Sequence, residues 1–350
     1  MQIAKTSMPA ANAPRTQPSG IAAPKCLLAQ VHALNADVAA HWRAALQATP
    51  LAMQYLRARG IGGAVAARFG LGYARPAWRD LGEVLARHSD EAVLASGLLV
   101  ATDNGATSGS ARRFDRFRDR IVFPILTREG SIAGFGGRVL GVGEQPKYLN
   151  SPEGIAFTKG SLLYGLFEAE RAIGLEGSAL VVEGYMDVVS LAQAGVDNAV
   201  ATLGTSCRRE QLAELLALTE RLVFCFDGDT AGRAAAARAL RAVLPFATGS
   251  KQFGFVFLPD GHDPDSFVRQ LGAGDFRAAA EAAMPLSAFL VEQASTGCDL
   301  RDAEGRARCA AQARVMWHEM PDGVARDALL DHCAGMLKFA RGELLGMWDA

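Results

Sequence analysis

The sequence lacks the features that mark secreted disulfide-rich, zinc-binding or membrane-spanning proteins. Its six cysteines are scattered among 350 residues, with no C-x-x-C pair and no Cys/His cluster at zinc-ligand spacing. This pattern argues against a disulfide framework and a structural zinc site, and it is typical of reduced cytosolic thiols. No apolar run approaches the ~20 residues needed to cross a bilayer. We therefore expect a cytoplasmic protein with no membrane segment and no zinc.

Overall basicity is also missing, since 36 Lys and Arg face 37 Asp and Glu. Any nucleic-acid surface must therefore arise from local segregation of charge. Residues 1–25 contain no acidic residue and four prolines, which oppose an amphipathic helix. We expect a disordered tail over residues 1–33.

The hydrophobic periodicity predicts an α/β protein in three further parts. Helical patterns begin near residue 34, and the apolar segments 120–127 and 132–140 have the spacing of a β-hairpin. Beyond residue 177, predicted strands (179–183, 198–202, 222–227 and 253–258) alternate with predicted helices (186–194, 209–219 and 230–243). This alternation favours a mainly parallel sheet flanked by helices. The predicted parts are an α+β unit over 34–164, the sheet unit over 165–284 and a helical unit over 285–350.

Acidic residues follow three of the predicted strands. Glu183 and Asp187 follow the first, and Asp227 and Asp229 flank a glycine after the third. In open α/β sheets, ligands bind at the carboxyl edge where these strands end. Each pair alone is also compatible with an ordinary strand end, a first helical turn or an Asx turn.

The third acidic cluster is Asp260-Gly261-His262-Asp263-Pro264-Asp265, which alone would be a turn with a helix N-cap. Two carboxylates about 4 Å apart repel by roughly 4 kcal/mol at an effective dielectric of 20. Such a group is stable only when it is protonated or binds a cation. Oxygen ligands suit Mg²⁺ or Mn²⁺ better than zinc. Three clusters at one sheet edge therefore predict a divalent-metal site.

The region around the predicted hairpin is positively charged, whereas the acidic clusters lie in a negatively charged region. The net charge is −4 over residues 183–265 and +4 over residues 112–138. Arginines alternate there beside Phe114 and Phe117, which suits phosphate contacts and base stacking. A solvated strand with internal ion pairs is the alternative. Lys147 and Lys159 extend the basic surface toward the sheet. A basic segment followed by a carboxylate-rich α/β site is expected for phosphoryl or nucleotidyl transfer on nucleic acid.

Several segments in succession resemble the catalytic core of bacterial DnaG-type DNA primases over roughly residues 34–271. They are RFRDRIVFPI, GFGGRVL, PKYLNSPE, FTKGSLLYGL, VVEGYMDVVSLAQAG, AVATLGTS, FCFDGDTAGR and LPDGHDPDSFVR. The acidic elements resemble the Toprim fold of those primases and of some topoisomerases and nucleases. The resemblance implies a template-directed RNA polymerase that makes primers on single-stranded DNA from ribonucleoside triphosphates, with Mg²⁺ or Mn²⁺.

The resemblance also implies a role for each matching residue. Glu183 would act near the metal site, as a ligand or as an acid/base group. The metal-holding carboxylates would be Asp187, Asp227, Asp229, Asp263 and Asp265. The residues implied to contact nucleotide or template are Arg116, Arg118, Arg120, Arg138, Lys147, Asn150 and Lys159.

The departures from the family pattern are equally part of the prediction. We expect the chain to lack the family's N-terminal zinc ribbon and its C-terminal helicase-binding domain, so that a zinc-ribbon protein in trans or a replicative helicase would be a separate partner. A Toprim-type metal-dependent nuclease, or a non-catalytic DNA- or replication-partner-binding protein of a phage or mobile element, remains an alternative. A topoisomerase would need a nucleophilic tyrosine in a separate cleavage domain, and none of the five tyrosines lies in one.

Overall fold

A computed structural model describes residues 25–101, 113–141, 146–204 and 207–349. Its first part combines helices with short strands around one long hairpin. The helices are α1 (Lys25–Ala48), α2 (Pro50–Ala58), α3 (Gly63–Arg68), α4 (Gly82–Leu85) and α5 (Asp90–Ser96). The strands are β1 (Gly72–Ala74), β2 (Leu99–Ala101), β3 (Arg113–Asp115), β4 (Arg120–Leu126), β5 (Ile132–Val139) and β6 (Tyr148–Asn150).

The predicted hairpin is confirmed, because β4 and β5 pair antiparallel from Arg120 opposite Val139 to Leu126 opposite Ile132. They form the centre of a four-stranded antiparallel sheet in the order β1-β4-β5-β6, and β2 pairs with β3 separately. Helix α1 packs on this sheet through the buried Trp42, whose ring meets the rings of two phenylalanines edge-on. Aromatic burial of this kind anchors the helix to the hairpin.

Helix α1 begins at Lys25, so the expected disordered tail is wrong for residues 25–33. Val31 and Leu34 are fully buried, so this apolar face of the helix packs against the rest of the protein, which stabilises the helix. The sequence analysis recognised a helical pattern only from residue 34 onward. The remainder of the predicted tail, residues 1–24, lies outside the described residues.

The second part is a mainly parallel sheet with helices on both faces, as predicted. Its strands are β7 (Ser178–Val182), β8 (Ala199–Ala201), β9 (Arg221–Phe226), β10 (Gln252–Phe257) and β11 (Met284–Pro285). The helices are α6 (Leu166–Glu176), α7 (Tyr185–Gln193), α8 (Arg209–Leu216), α9 (Thr230–Val243) and α10 (Pro264–Glu281). The strand order is β11-β10-β9-β7-β8, and all neighbours are parallel except β11, which pairs antiparallel with β10.

Side-chain alternation along β7 divides the interior between two cores. Ala179 and Val181 pack in a core shared with α8, α9 and the C-terminal part of the chain, whereas Leu180 and Val182 pack in one shared with α7, α10 and the hairpin. Successive strand residues point to opposite faces, so a strand buried on both sides reads as a continuous apolar run. The two cores fix the carboxyl edge of the sheet against the first part of the chain.

Four helices complete the described chain: α11 (Leu286–Ala294), α12 (Ala303–His318), α13 (Val324–Leu337) and α14 (Arg341–Asp349). They bury Trp317 and Trp348, whose ring centroids lie 5.2 Å apart. Within the described ranges, none of the helices has both the length and the apolar character needed to cross a bilayer.

The first turn of α6 contains a carboxyl group that should make stability depend on pH. Burial raises the pKa of Glu168 to about 7, and the charge of Arg68 opposes this shift only in part. Glu168 is therefore protonated in the folded state over a pH range in which the unfolded chain has lost that proton. The free energy of unfolding should fall by about 2 kcal/mol as pH rises from 4.5 to 7, after allowance for the partial exposure of this side chain.

Urea unfolding at pH 5 and pH 8 tests this expectation. Glu168→Gln has no proton to lose at this position, so its unfolding free energy lacks this pH dependence. The unfolding free energy of the wild type, relative to that of the variant, should therefore be lower at pH 8 than at pH 5. A difference that stays constant across this range would show that Glu168 ionises normally in the folded protein.

Candidate active site

A cleft of about 230 Å³ lies at the carboxyl edge of the parallel sheet, where the edge faces β5 and β6. It brings together seven of the thirteen site residues predicted from sequence. They are Arg138, Lys147, Asn150, Glu183, Asp187, Asp227 and Asp263. The arrangement joins the predicted acidic edge to part of the predicted basic surface.

The turn after β9 places Asp227 and Asp229 on either side of a glycine that cannot be replaced without a clash. A Cβ atom on Gly228 would lie 2.4 Å from the carbonyl oxygen of Pro259. Asp229 is the N-cap of α9, and its Oδ1 accepts a hydrogen bond of 2.7 Å from the Gly232 backbone N–H. The cap engages one carboxylate oxygen and leaves the other available to a ligand.

The other two acidic clusters also begin helices. Asp263 is the N-cap of α10, and its Oδ1 accepts from the Ser266 backbone N–H at 2.7 Å. Asp187 lies in the first turn of α7, and its Oδ2 accepts from the Gly184 backbone N–H at 2.9 Å. Helix N-termini stabilise carboxylates, so the fold holds these acids in place at the sheet edge.

The clustering of the carboxylates shifts their pKa values. Burial raises the pKa of Asp227 to about 7, and the negative charges of Glu183, Asp263 and Asp229 add to this shift while Lys147 opposes it. Burial and the charge of Asp229 also raise the pKa of Glu183. These carboxylates are therefore close enough to disfavour one another's charged forms.

Asp187 and Asp263 differ in ionisation although both lie in the cleft. Burial, together with the charges of Asp263 and Asp227, raises the pKa of Asp187 well above its usual value. Burial acts to raise the pKa of Asp263 as well, but hydrogen bonds from Ser266 outweigh it and hold this pKa below its usual value. Asp263 is thus the carboxylate in the cleft that is most readily negative.

The donor chemistry of the cleft fits a hard divalent cation, although the described residues contain no ready-made group of three His, Cys, Asp or Glu side chains that could hold a metal ion. The carboxylate oxygen Oδ1 of Asp227 is buried and has no hydrogen-bond partner in the described structure. A buried unpaired acceptor surrounded by other carboxylates is costly unless a cation or a proton satisfies it. The residues present are the oxygen ligands that Mg²⁺ and Mn²⁺ prefer.

Asp265 lies beside the cleft but is engaged in a buried ion-pair network. It is 1% exposed, and its carboxylate accepts from Ser190 Oγ at 2.8 Å, from Arg269 Nε at 2.8 Å and from Arg59 Nη1 at 2.7 Å. Its backbone N–H donates to Asp187 Oδ1 at 3.3 Å. Both carboxylate oxygens are therefore occupied by protein donors, which differs from the metal-ligand role expected for Asp265.

The basic side of the cleft is formed by β5 and β6. Arg138 is buried, donates a hydrogen bond to the Tyr148 hydroxyl and lies over its ring at 5.1 Å. Asn150 accepts from the Tyr185 hydroxyl at 2.7 Å, which ties β6 to the first turn of α7. Lys147 is exposed, so its ammonium group is free to reach an anion in the cleft.

The other predicted basic residues lie outside the cleft lining. Arg120 is buried and donates to the Pro146 carbonyl at 2.9 Å, and Arg116 Nε donates to the Gly97 carbonyl at 2.9 Å. Alternation along the strand suggested arginines suited to phosphate contacts, but the guanidinium groups of Arg116, Arg118 and Arg120 all donate to main-chain carbonyls, that of Arg118 to the Asp115 carbonyl. Lys159 accepts at its backbone carbonyl from Gln211 Nε2 at 3.1 Å.

Arg118 belongs to a surface cluster with two aromatic rings. Its guanidinium carbon lies 4.4 Å from the centroid of the Trp78 ring and 4.8 Å from that of Phe114, and the two rings meet edge-on at 5.2 Å. Trp78 is 62% exposed although it is a large aromatic residue. The sequence analysis did not single out Trp78. The available signal was a Trp-Arg pair upstream of the basic segment.

Comparison with solved structures places this arrangement in a family. The chain is similar to a DnaG primase catalytic domain bound to single-stranded DNA, with a TM-score of 0.83, 40% identity, and coverage of 91% of this chain and 100% of that one. It is equally similar to a DNA primase domain from Pseudomonas aeruginosa, with a TM-score of 0.84, 40% identity and the same coverage. The chain belongs to the DnaG primase family.

Family models divide the chain in agreement with the observed fold. Residues 41–170 match the model described as DNA primase catalytic core, N-terminal domain, and residues 180–268 match the Toprim-like model. The DNA primase of Escherichia coli strain K12 is 45% identical over 277 residues, which cover 79% of this chain and 46% of that protein. The chain thus spans about half the length of the curated primases that it matches.

The comparisons also correct one expectation about the C-terminal part. Residues 287–341 match the model described as the DnaB-helicase binding domain of primase, so the prediction that the chain lacks a helicase-binding domain is wrong. The sequence showed only helical periodicity there, and helices that complete a core cannot be told from helices that bind a partner by periodicity alone.

Proposed function

We propose that the chain catalyses template-directed synthesis of RNA primers on single-stranded DNA. A primer 3′-hydroxyl attacks the α-phosphorus of a ribonucleoside triphosphate, a phosphodiester bond forms and pyrophosphate leaves. The observation that carries this proposal is the cleft in which Glu183, Asp227 and Asp263 face Arg138 and Lys147. Nucleotidyl transfer needs this combination of carboxylates for cations and basic groups for phosphates.

Mg²⁺ or Mn²⁺ fits the acidic side, with Glu183, Asp227, Asp229 and Asp263 as the residues that would hold it. When bound, the metal would activate the attacking oxygen and neutralise charge on the phosphates. The N-caps of α9 and α10 orient Asp229 and Asp263. We further propose that Asp187 and Asp265 position these ligands, because Asp187 accepts two backbone N–H groups and Asp265 binds two arginines.

The basic side orients the triphosphate. Lys147 is an exposed residue of the cleft lining, and Arg138 is buried and donates a hydrogen bond to the Tyr148 hydroxyl. Fixed cations aimed at phosphate oxygens contribute most when water is excluded. Asn150 and Tyr185 brace this wall through their hydrogen bond.

We propose that the cluster of Trp78, Phe114 and Arg118 is a stacking platform for template bases. Base stacking on an aromatic ring contributes about 1–3 kcal/mol. Trp78→Ala should therefore weaken binding of a fluorescein-labelled DNA single strand by about tenfold or more in anisotropy titrations. Phe167→Ala is the matched control, because Phe167 is an exposed aromatic residue on α6. Equal affinities of wild type and Trp78→Ala for the DNA strand would show that this cluster does not bind template bases.

Binding of a replicative helicase is proposed for residues 287–341, on the strength of the family-model match. Exposed apolar side chains in this segment, including Val315, Val324 and Met336, offer contact area for a protein partner. Calorimetric titration of a DnaB-type helicase with the full chain tests this assignment, and Val324→Asp should weaken the interaction.

Incorporation of labelled ribonucleotides on single-stranded DNA with Mg²⁺ or Mn²⁺ tests the primase proposal. The reaction is run with and without a short annealed primer. Synthesis without a primer would establish initiation by this chain, and extension of a supplied primer alone would show that initiation needs a further component, such as a zinc-ribbon protein in trans. Metal-dependent DNA cleavage without incorporation would instead indicate a nuclease.

A further inference from the structure

A groove of about 240 Å³ lies between the first three helices. We call it the α1–α3 groove. Its base is formed by buried apolar residues, and its rim carries two arginines. These residues are Leu46, Leu56, Ile61 and Leu71 at the base, and Arg43 and Arg57 at the rim. The groove and the cleft share no lining residue.

The two rim arginines have the charge pattern of a binding surface. Arg43 and Arg57 are both exposed, and neither has an ion pair or a side-chain hydrogen bond with any residue that the structure describes. Among the described residues, none of those that line the groove is acidic. Arg68, which is exposed on α3, does have a carboxylate partner, Asp197. The groove therefore presents uncompensated positive charge beside an apolar floor.

We propose that the α1–α3 groove docks an acidic peptide segment of another protein, one that inserts a large apolar side chain between Arg43 and Arg57. The apolar floor of the groove suits the one or two anchoring side chains that dominate peptide interfaces. Acidic residues flanking the anchor would pair with the rim arginines and speed the encounter.

Other occupants fit the groove less well. Single-stranded DNA would also be drawn to the arginines, but the groove lining that the structure describes contains no aromatic side chain for base stacking. The chain's own residues 1–24 contain Lys5 and Arg15 and no acidic residue, so their charge has the same sign as the rim. Charge complementarity thus favours an acidic partner over both.

Selection from a displayed random-peptide library on the immobilised full chain tests the proposal. Selected sequences should be enriched in Asp and Glu around Leu, Phe or another large apolar residue. The best peptide, labelled with fluorescein, should bind at least tenfold more weakly to the double variant Arg43→Glu, Arg57→Glu. Ala67→Trp fills the groove from an exposed position on α3 and should weaken binding without reversing any charge.

Arg171→Glu is the matched control, because Arg171 is an exposed arginine on α6 outside both the groove and the cleft. It should leave peptide binding unchanged. Circular dichroism of each variant confirms that the fold is retained. Selection of no peptide, or of peptides without acidic bias, would overturn the proposal. Equal peptide affinities of the wild type and of both groove variants would overturn it as well. Loss of single-stranded DNA binding with peptide binding intact would assign the groove to nucleic acid instead.

Discussion

Asp227→Asn is expected to abolish ribonucleotide incorporation while leaving the protein folded. The carboxylate of Asp227 has a buried oxygen with no hydrogen-bond partner among the described residues, and burial together with neighbouring negative charges raises its pKa to about 7. Such a carboxylate is unfavourable in its charged form in the protein alone, and a bound cation makes the charged form favourable. Replacing it with a neutral isostere should lower the incorporation rate by at least 100-fold, which corresponds to roughly 3 kcal/mol of transition-state stabilisation.

The same substitution should not lower stability in the absence of divalent metal. It removes the repulsion that Asp227 experiences from Glu183, Asp263 and Asp229, so the melting temperature should be equal to or above that of wild type. Magnesium should raise the melting temperature of the wild type by mass action and have a much smaller effect on the variant.

Asp260→Asn is the control for this experiment. Asp260 belongs to the same acidic cluster as Asp263, but it is exposed and does not line the cleft. Its variant should incorporate ribonucleotides at the wild-type rate. Wild-type incorporation by Asp227→Asn would show that the cleft is not the site of nucleotidyl transfer.

The positions of the acidic residues could be predicted because they follow strands that are buried on both faces. Continuous apolar runs such as residues 222–226 indicate parallel strands, and the carboxyl ends of parallel strands meet at one edge. Asp187, Asp227 and Asp263 reach one cleft for this reason. The reason for the glycine between Asp227 and Asp229 could not be predicted, because a Cβ atom on Gly228 would clash with the backbone carbonyl oxygens of Leu258 and Pro259, which come from the loop after another strand.

Partners that come from distant parts of the chain could not be predicted. Arg59 pairs with Asp265 across 206 residues, and nothing in the local pattern distinguishes Asp265 from Asp263 two residues earlier. The burial of Arg120 is similar, because alternation on a strand indicates two faces but not which face the first helix covers. These contacts depend on tertiary packing, which periodicity does not encode.

Asp265→Asn is expected to lower the free energy of unfolding by about 2 kcal/mol, because hydrogen bonds to charged groups contribute roughly 1.5–3 kcal/mol and the two arginines are only partly buried. Asp265 is 1% exposed and receives hydrogen bonds from Arg59 and Arg269 on its two oxygens. An asparagine would turn an N–H donor toward one of these guanidinium groups and leave both without a counter-charge. Because Arg59 follows α2 and Asp265 lies in α10, the variant should also loosen the contact between the two parts of the chain.

This substitution distinguishes a positioning residue from a metal ligand. If Asp265 acts by positioning, magnesium should still raise the melting temperature of Asp265→Asn, from a lower starting value. Asp299→Asn is the control, because Asp299 also binds an arginine, Arg301, but at the surface, where an ion pair contributes about 0–1 kcal/mol. Retained stability of Asp265→Asn together with loss of the magnesium effect would make Asp265 a ligand. The ion-pair network would then be a feature of the metal-free state, because Arg59 and Arg269 would have to release the carboxylate before a cation could bind it.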